Sequence, residues 1–152
     1  MKFQKLQYSC AAASLSNVLR IYGKKYSEKT IRKLANTTKQ GTSEEDMVKA
    51  ITTLGFSVSA VEKTSYKECW NWLIDHLSQG HGVILSVNSW IHYVACIGFL
   101  GGSNPKVIVF DSDKQLKKVR AENGVFVLNQ KQLKRIWFNR KEGLCHGLAI
   151  IP

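Results

Sequence analysis

A thiol, an imidazole and a carboxylate, which together support nucleophilic acyl chemistry, occur in this chain where local structure favours their use. Cys10 opens a run in which Ala11, Ala12, Leu15, Val18, Leu19 and Tyr22 recur at helical spacing, with Gly23 standing where the helix should stop. The thiol is therefore expected at a helix N-terminus. Unpaired backbone N–H groups and the positive end of the helix dipole favour a thiolate there. The small alanines that follow let another layer, or a substrate, come close to the sulfur. Taken alone, Cys10 fits equally well as a small buried hydrophobe.

A thiol nucleophile needs a base and a group that orients the base. Of the four histidines, His76 falls late in a charged helix and His81 in a Gly80-His81-Gly82 turn, so both are expected to be exposed, while His146 begins the last strand beside Cys145. His92 differs, because it enters a strand running to Phe99 under apolar cover from Trp90-Ile91. The strand Lys106 to Phe110 follows after the hairpin loop Gly101-Gly102-Ser103-Asn104-Pro105 and ends at Asp111. In an antiparallel pair the start of the first strand lies beside the end of the second, which predicts that His92 and Asp111 are neighbours. A carboxylate there would fix the tautomer of the imidazole and turn its other nitrogen to a thiol. Asp113 is a rival for that duty, and a carboxylate after a strand also suits a plain polar turn.

The elements that must position these groups divide the chain in two. Ser27 opens a short helix through about Ala35, and Thr42-Ser43-Glu44-Glu45 places a hydroxyl three residues before a glutamate, a capping box, ahead of Met47, Ala50, Ile51 and Leu54. A strand over Phe56 to Val61 and a helix from about Ser65 to Ser78 come next. Strands are then predicted at Gly82 to Val87, Ile91 to Phe99, Lys106 to Phe110, Val125 to Leu128 and Leu148 to Ile151. One helix interrupts them, with Asn129 and Gln132 forming its cap. A helical half carrying Cys10 and an antiparallel β half carrying His92 and Asp111 describe a single α+β domain over 1–152, in two layers with a cleft between them.

Composition narrows the function classes. With 152 residues, 44% of them hydrophobic, the chain is long enough to bury a core without metals or disulfides. No cofactor is expected, and Cys10, Cys69, Cys96 and Cys145 lack the paired spacing of a zinc site. A Cys10–Cys145 bridge stays formally open, although a reducing compartment disfavours it. There is no apolar block suited to a signal peptide or a membrane span, so the cytoplasm is the expected location and no membrane partner is expected. The net charge of +11 attracts acidic partners. Its basic residues are nevertheless scattered through Lys24-Lys25, Arg32-Lys33, Lys117-Lys118-Val119-Arg120 and Lys131 to Arg135 without aromatic platforms, which makes nucleic acid a poor fit.

Taken in order, Gln4, Cys10 six residues later at a helix start, His92-Tyr93-Val94-Ala95-Cys96-Ile97-Gly98 and Asp111 resemble the papain-like cysteine peptidases that remove double-glycine leader peptides from bacteriocins, and their stand-alone relatives in bacteria and phages. Gly41-Thr42-Ser43 and Leu54-Gly55-Phe56 are similar to the middle segment of that family. The resemblance covers nearly the whole chain and implies a papain-like fold. It also implies a peptide or protein substrate, with Cys10 as nucleophile, His92 as general base and then acid, Asp111 as orienter and Gln4 as a side-chain donor to the oxyanion, beside the N–H of Cys10. Ala11 stands where the family has glycine, and Ser112 where it often has proline after the aspartate. The same residue types also fit deamidation or transglutaminase-like acyl transfer, and a papain-like scaffold gripping an acidic partner through its basic surface would need no thiol at all. Trp90, beside His92, is a candidate substrate contact. Trp70 and Trp72 are further candidates for lining the cleft, though a helix tryptophan more often packs the core.

Overall fold

The computed structural model describes residues 1–113 and 122–152, so the Lys117-Lys118-Val119-Arg120 cluster lies outside the described residues. The elements run α1 (Cys10–Ile21), α2 (Glu28–Leu34), α3 (Glu44–Thr53), β1 (Ser57–Lys63), α4 (Tyr66–Ser78), β2 (Gly82–Val87), β3 (His92–Leu100), β4 (Lys106–Phe110), β5 (Val125–Asn129), α5 (Gln130–Trp137) and β6 (Cys145–Ile151). The strands form one sheet in the order β1-β6-β2-β3-β4-β5. All of its neighbours pair antiparallel.

The α+β class is as expected, but the layering is not. Val83, Leu85, Val87, Val94, Cys96, Val107 and Val109 point to one face, where α4 and α5 cover them with Trp70, Leu73, Leu77, Leu133 and Trp137. Ile84, Ala95, Leu148 and Ile150 point to the other, beneath Leu15, Val18 and Leu19 of α1 and the apolar residues of α2 and α3. The sheet is thus the middle of three layers rather than one of two. The sequence of β2 carries the signal, because every residue of Gly82–Val87 is buried and the strand reads as a near-continuous apolar run instead of an alternation.

Three contacts fix α1 on the sheet. Near its start, the Ser14 hydroxyl donates to the Tyr93 carbonyl at 3.1 Å. Just past its end, the Tyr22 hydroxyl accepts from Gly82 N–H at 2.7 Å and donates to the Ile150 carbonyl at 2.6 Å. Between them the helix lies so close to β2 that a Cβ on Gly82 would stand 2.6 Å from Val18 Cγ1. The same helix holds the N-terminal arm, since the buried Asn17 side chain accepts from Lys2 N–H and donates to the Lys2 carbonyl.

Two local expectations shift. The cap of α3 is Ser43, whose hydroxyl accepts from Asp46 N–H and donates to the Asp46 carboxylate, while Thr42 instead bonds the Thr37 hydroxyl. His76 is buried rather than exposed, with Nε2 at 3.1 Å from Ser59 Oγ and Nδ1 at 3.0 Å from His81 Nδ1. Burial, and then the charge of His81, hold the His76 imidazole below its ordinary value.

Candidate active site

Cys10 is the first residue of α1, and the turn before it is tightly knit. Ser9, fully buried, does not cap the helix with its side chain. Its hydroxyl instead donates to the Leu6 carbonyl at 2.9 Å and accepts from Leu6 N–H at 3.2 Å. This turn presents the Cys10 sulfur to a cleft of about 580 Å³ lined by Gln7, Tyr8, Lys39, Gln40, Gly41, Asn88, Ile91, His92 and Asp113. All four thiols are free, so no Cys10–Cys145 bridge exists. Cys69, Cys96 and Cys145 are buried, and burial pushes their thiols up, that of Cys96 to about 12. Only the sulfur of Cys10 is in a position to meet a substrate.

His92 is the first residue of β3, and the Ser14 to Tyr93 bond ties the residue after it to α1, one turn beyond Cys10. Its Nε2 lies 2.8 Å from Asp111 Oδ1 in a buried pair. The other nitrogen is thereby left for the sulfur, and Cys10 and His92 line the same cleft, where the thiol acts on the charge of the imidazole. Burial acts to lower the affinity of His92 for a proton, but the hydrogen bonds and charges of Asp111 and Cys10 outweigh it and raise its value to about 10. The carboxylate and the sulfur thus favour the imidazolium form of the ring.

Asp111 is placed by its backbone and its oxygen. Its N–H donates to the Gly124 carbonyl at 2.8 Å, and Oδ1 also accepts from Asp113 N–H at 2.9 Å. Asp113 thus buttresses Asp111 through its backbone, while its side chain borders the cleft. Gln4 lies in the arm before α1, with its amide nitrogen 3.0 Å from the Leu6 carbonyl and 3.1 Å from that of Gln7. Its Oε1 accepts from the Ser112 hydroxyl at 2.9 Å.

The tryptophans do not line this cleft. Trp90 packs its ring edge to face on His146, with centroids 4.6 Å apart. Trp70 lies in the α4 core, and Trp72 donates Nε1–H to Ser59. Ile91, read from the sequence as apolar cover for His92, is instead 82% exposed at the lip of the cleft, and sequence reasoning missed Lys39 and Gln40, which also line it. No sequence signal marks the exposure of Ile91, because a single apolar residue beside a strand start is as ordinary on the surface as in the core. Asn88, Ser89 and Trp90, all at positive φ (52°, 58° and 67°), hold Ile91 outward.

A thiol at a helix start, facing an imidazole and carboxylate on an antiparallel sheet, defines the papain-like class of cysteine peptidases. The model of the peptidase C39 family matches residues 1–140, and the chain belongs to that family. The lactococcin-A transport/processing ATP-binding protein LcnC of Lactococcus lactis subsp. lactis is 29% identical over 135 residues, which is 84% of this chain. The chain spans only 18% of the length of that relative. Among solved structures, the peptidase domain of Streptococcus ComA, a bifunctional ABC transporter involved in quorum sensing, superposes with a TM-score of 0.72 at 23% identity, covering 99% of this chain and 96% of that one. A double-glycine motif protease from an AMS/PCAT transporter, in complex with its leader peptide, gives 0.70 at 20% identity over 99% and 89% of the two chains. A C39-like peptidase from Bacillus anthracis gives 0.65 at 11% over 100% and 94%. Among the described residues no helix is long and apolar enough to cross a membrane.

Proposed function

We propose that this chain hydrolyses the peptide bond after a double-glycine leader sequence through an acyl-enzyme on Cys10. The observation that carries this reading is the placing of Cys10 and His92 on one open cleft, with Asp111 hydrogen-bonded to the far nitrogen of the imidazole. Cys10 Sγ forms a bond to the scissile carbonyl carbon, and the carbonyl π electrons move to oxygen. As they return, the C–N bond breaks and His92 gives its proton to the departing amine. A water then attacks the thioester, giving a proton to His92, and the C–S bond breaks to restore the sulfur. Asp111 keeps the ring oriented throughout and favours its charged form before the first proton transfer and after the second.

The oxyanion receives hydrogen bonds from the backbone N–H of Cys10 and from the amide of Gln4. For this, one N–H of Gln4 is released by the Leu6 or Gln7 carbonyl it now contacts. One such preorganised donor lowers the barrier by roughly 3–4 kcal/mol.

The test uses wild type and Cys10→Ala with a thiol-directed active-site probe and a synthetic double-glycine leader peptide. Wild type should be labelled and should release the leader, whereas the variant does neither. Equal labelling of the two proteins sinks the proposal. Mass spectrometry separates the outcomes, since a gain of one mass unit without cleavage means deamidation and a cross-linked product means acyl transfer. Binding to an acidic partner that persists in Cys10→Ala while cleavage is absent would favour a scaffold.

A further inference from the structure

Ser112 follows the orienting carboxylate and is completely buried. Its hydroxyl and its carbonyl both turn to one residue: the hydroxyl donates to Gln4 Oε1 at 2.9 Å, and the carbonyl accepts from Gln4 N–H at 3.0 Å. On the other side of the same amide, Gln4 Nε2 meets the carbonyls of Leu6 and Gln7, in the turn that delivers Cys10. This pattern fixes which end of the amide is oxygen. Reversing it would set an oxygen against two carbonyl oxygens, whereas the present orientation gives every atom a partner. Gln4 therefore spans two pieces of the site that are over 100 residues apart in the chain, the loop after β4 and the turn before α1.

We infer that Ser112 is a positioning residue for the reaction, acting through Gln4: its buried hydroxyl anchors the amide oxygen so that the amide nitrogen is turned toward the Leu6–Gln7 turn that delivers Cys10. The inference rests on the peptidase reading and extends it to a residue that touches neither substrate nor sulfur. The geometry favours this over a purely structural bond for a stated reason. The backbone bond from Gln4 N–H to the Ser112 carbonyl already ties the arm to the sheet, so the hydroxyl adds no further tether. What it adds is the rotation of the Gln4 amide about its last side-chain torsion, which decides where the two N–H groups point. An amide without that anchor turns among several orientations, and only some of them meet an oxyanion.

The experiment separates chemistry that needs an oxyanion donor from chemistry that does not. Alkylation of Cys10 by iodoacetamide develops no oxyanion and reads Cys10, His92 and Asp111 alone. Hydrolysis of a fluorogenic peptide amide ending in Gly-Gly reads the whole site. Ser112→Ala, which keeps the backbone bond, is expected to lower kcat roughly tenfold, less than loss of the donor itself. KM and the pH profile of alkylation should stay as in wild type. In a Gln4→Ala background the same substitution should cost nothing further. Ser112→Cys, nearly isosteric with a weaker donor, should give an intermediate kcat and serves if Ser112→Ala does not fold.

An undiminished kcat in both variants, additive losses in the double variant, or a parallel fall in alkylation each overturn the inference while leaving the peptidase reading intact. Failure of wild type to show Cys10-dependent alkylation and hydrolysis overturns that reading and this inference together.

Discussion

At the scale of single residues, the proton on His92 is what the site controls. Its folded value, about 10, lies above the ordinary 6.5 because the bonds and charges of Asp111 and Cys10 exceed the opposing effect of burial. A group whose value rises on folding stabilises the protein fully below its unfolded value. That stabilisation is lost as pH climbs from 6.5 through about 10. Replacing Asp111 by Asn removes the anionic partner but keeps the size of the side chain. The His92 titration, followed through the imidazole proton resonances, should then move down toward the ordinary range. The alkaline fall in kcat/KM should move with it, and activity at neutral pH should drop about a hundredfold to ten-thousandfold. The fall in unfolding free energy between pH 6.5 and 10, measured by urea titration, should also flatten in the variant. An unchanged titration would show that Asp111 does not set the charge of His92.

His92 and Asp111 were legible as neighbours because a hairpin register is a local rule. Neighbours in sequence order became neighbours in space. Ser112 and Ile91 were not legible, since one works through an arm over 100 residues away and the other through a turn with three consecutive residues at positive φ. Neither distant arms nor left-handed turns leave a periodic trace. Ala11, which differs from the glycine of related peptidases, is 1% exposed within the α1 core cluster, so its methyl group packs inward and does not border the cleft.

At the scale of elements, the position of the sulfur depends on how α1 lies on the sheet. The helix was plain in the sequence, from its apolar spacing and Gly23, but its depth was not. Gly82 determines that depth, because a methyl group there would meet Val18 Cγ1 at 2.6 Å and Ile21 Cδ1 at 2.9 Å. Gly82→Ala forces Val18 and Ile21 to give way, by a change of rotamer or by an outward shift of α1, and overpacking of this kind costs about 1–3 kcal/mol. Such a shift pulls on the Tyr22 hydroxyl, which bonds Gly82 N–H and the Ile150 carbonyl. The urea midpoint should fall by the corresponding amount without a change in slope. Activity should fall further than stability at temperatures where the variant is fully folded, because Cys10 is carried on the displaced helix. A midpoint equal to wild type would mean that the contact relaxes freely. The cap of α3 shows the opposite limit of sequence reading. Thr42 and Ser43 both offered a hydroxyl with an acid three residues on, and only the fold chose Ser43 with Asp46.

At the scale of the whole molecule, the half-helical, half-β division of the chain was readable, but the three layers were not. The division is a matter of local pattern, whereas layering depends on α4 and α5 crossing to the far face of the sheet. The burial of both faces of β2 is the physical trace of that crossing. The charge, by contrast, is fully visible in the sequence and has a consequence for the folded state. With 22 basic and 11 acidic side chains, at least half of the basic groups have no acidic counterpart by number alone. The pairs Arg32–Glu28 and Lys63–Glu68 are separated by 3.5 and 3.7 Å, and the second is on the surface, where such a pair contributes little. Compaction therefore brings like charges together, and self-repulsion opposes folding until salt screens it. Raising sodium chloride from about 0.05 to 0.5 M shortens the screening length severalfold, and the repulsion relieved should be on the order of 1 kcal/mol. For a domain of this size that corresponds to a rise in Tm of roughly 2–5 °C by calorimetry. If Tm instead stays level or falls across that range, the basic groups are spaced too widely to repel one another, and the net charge has no bearing on stability.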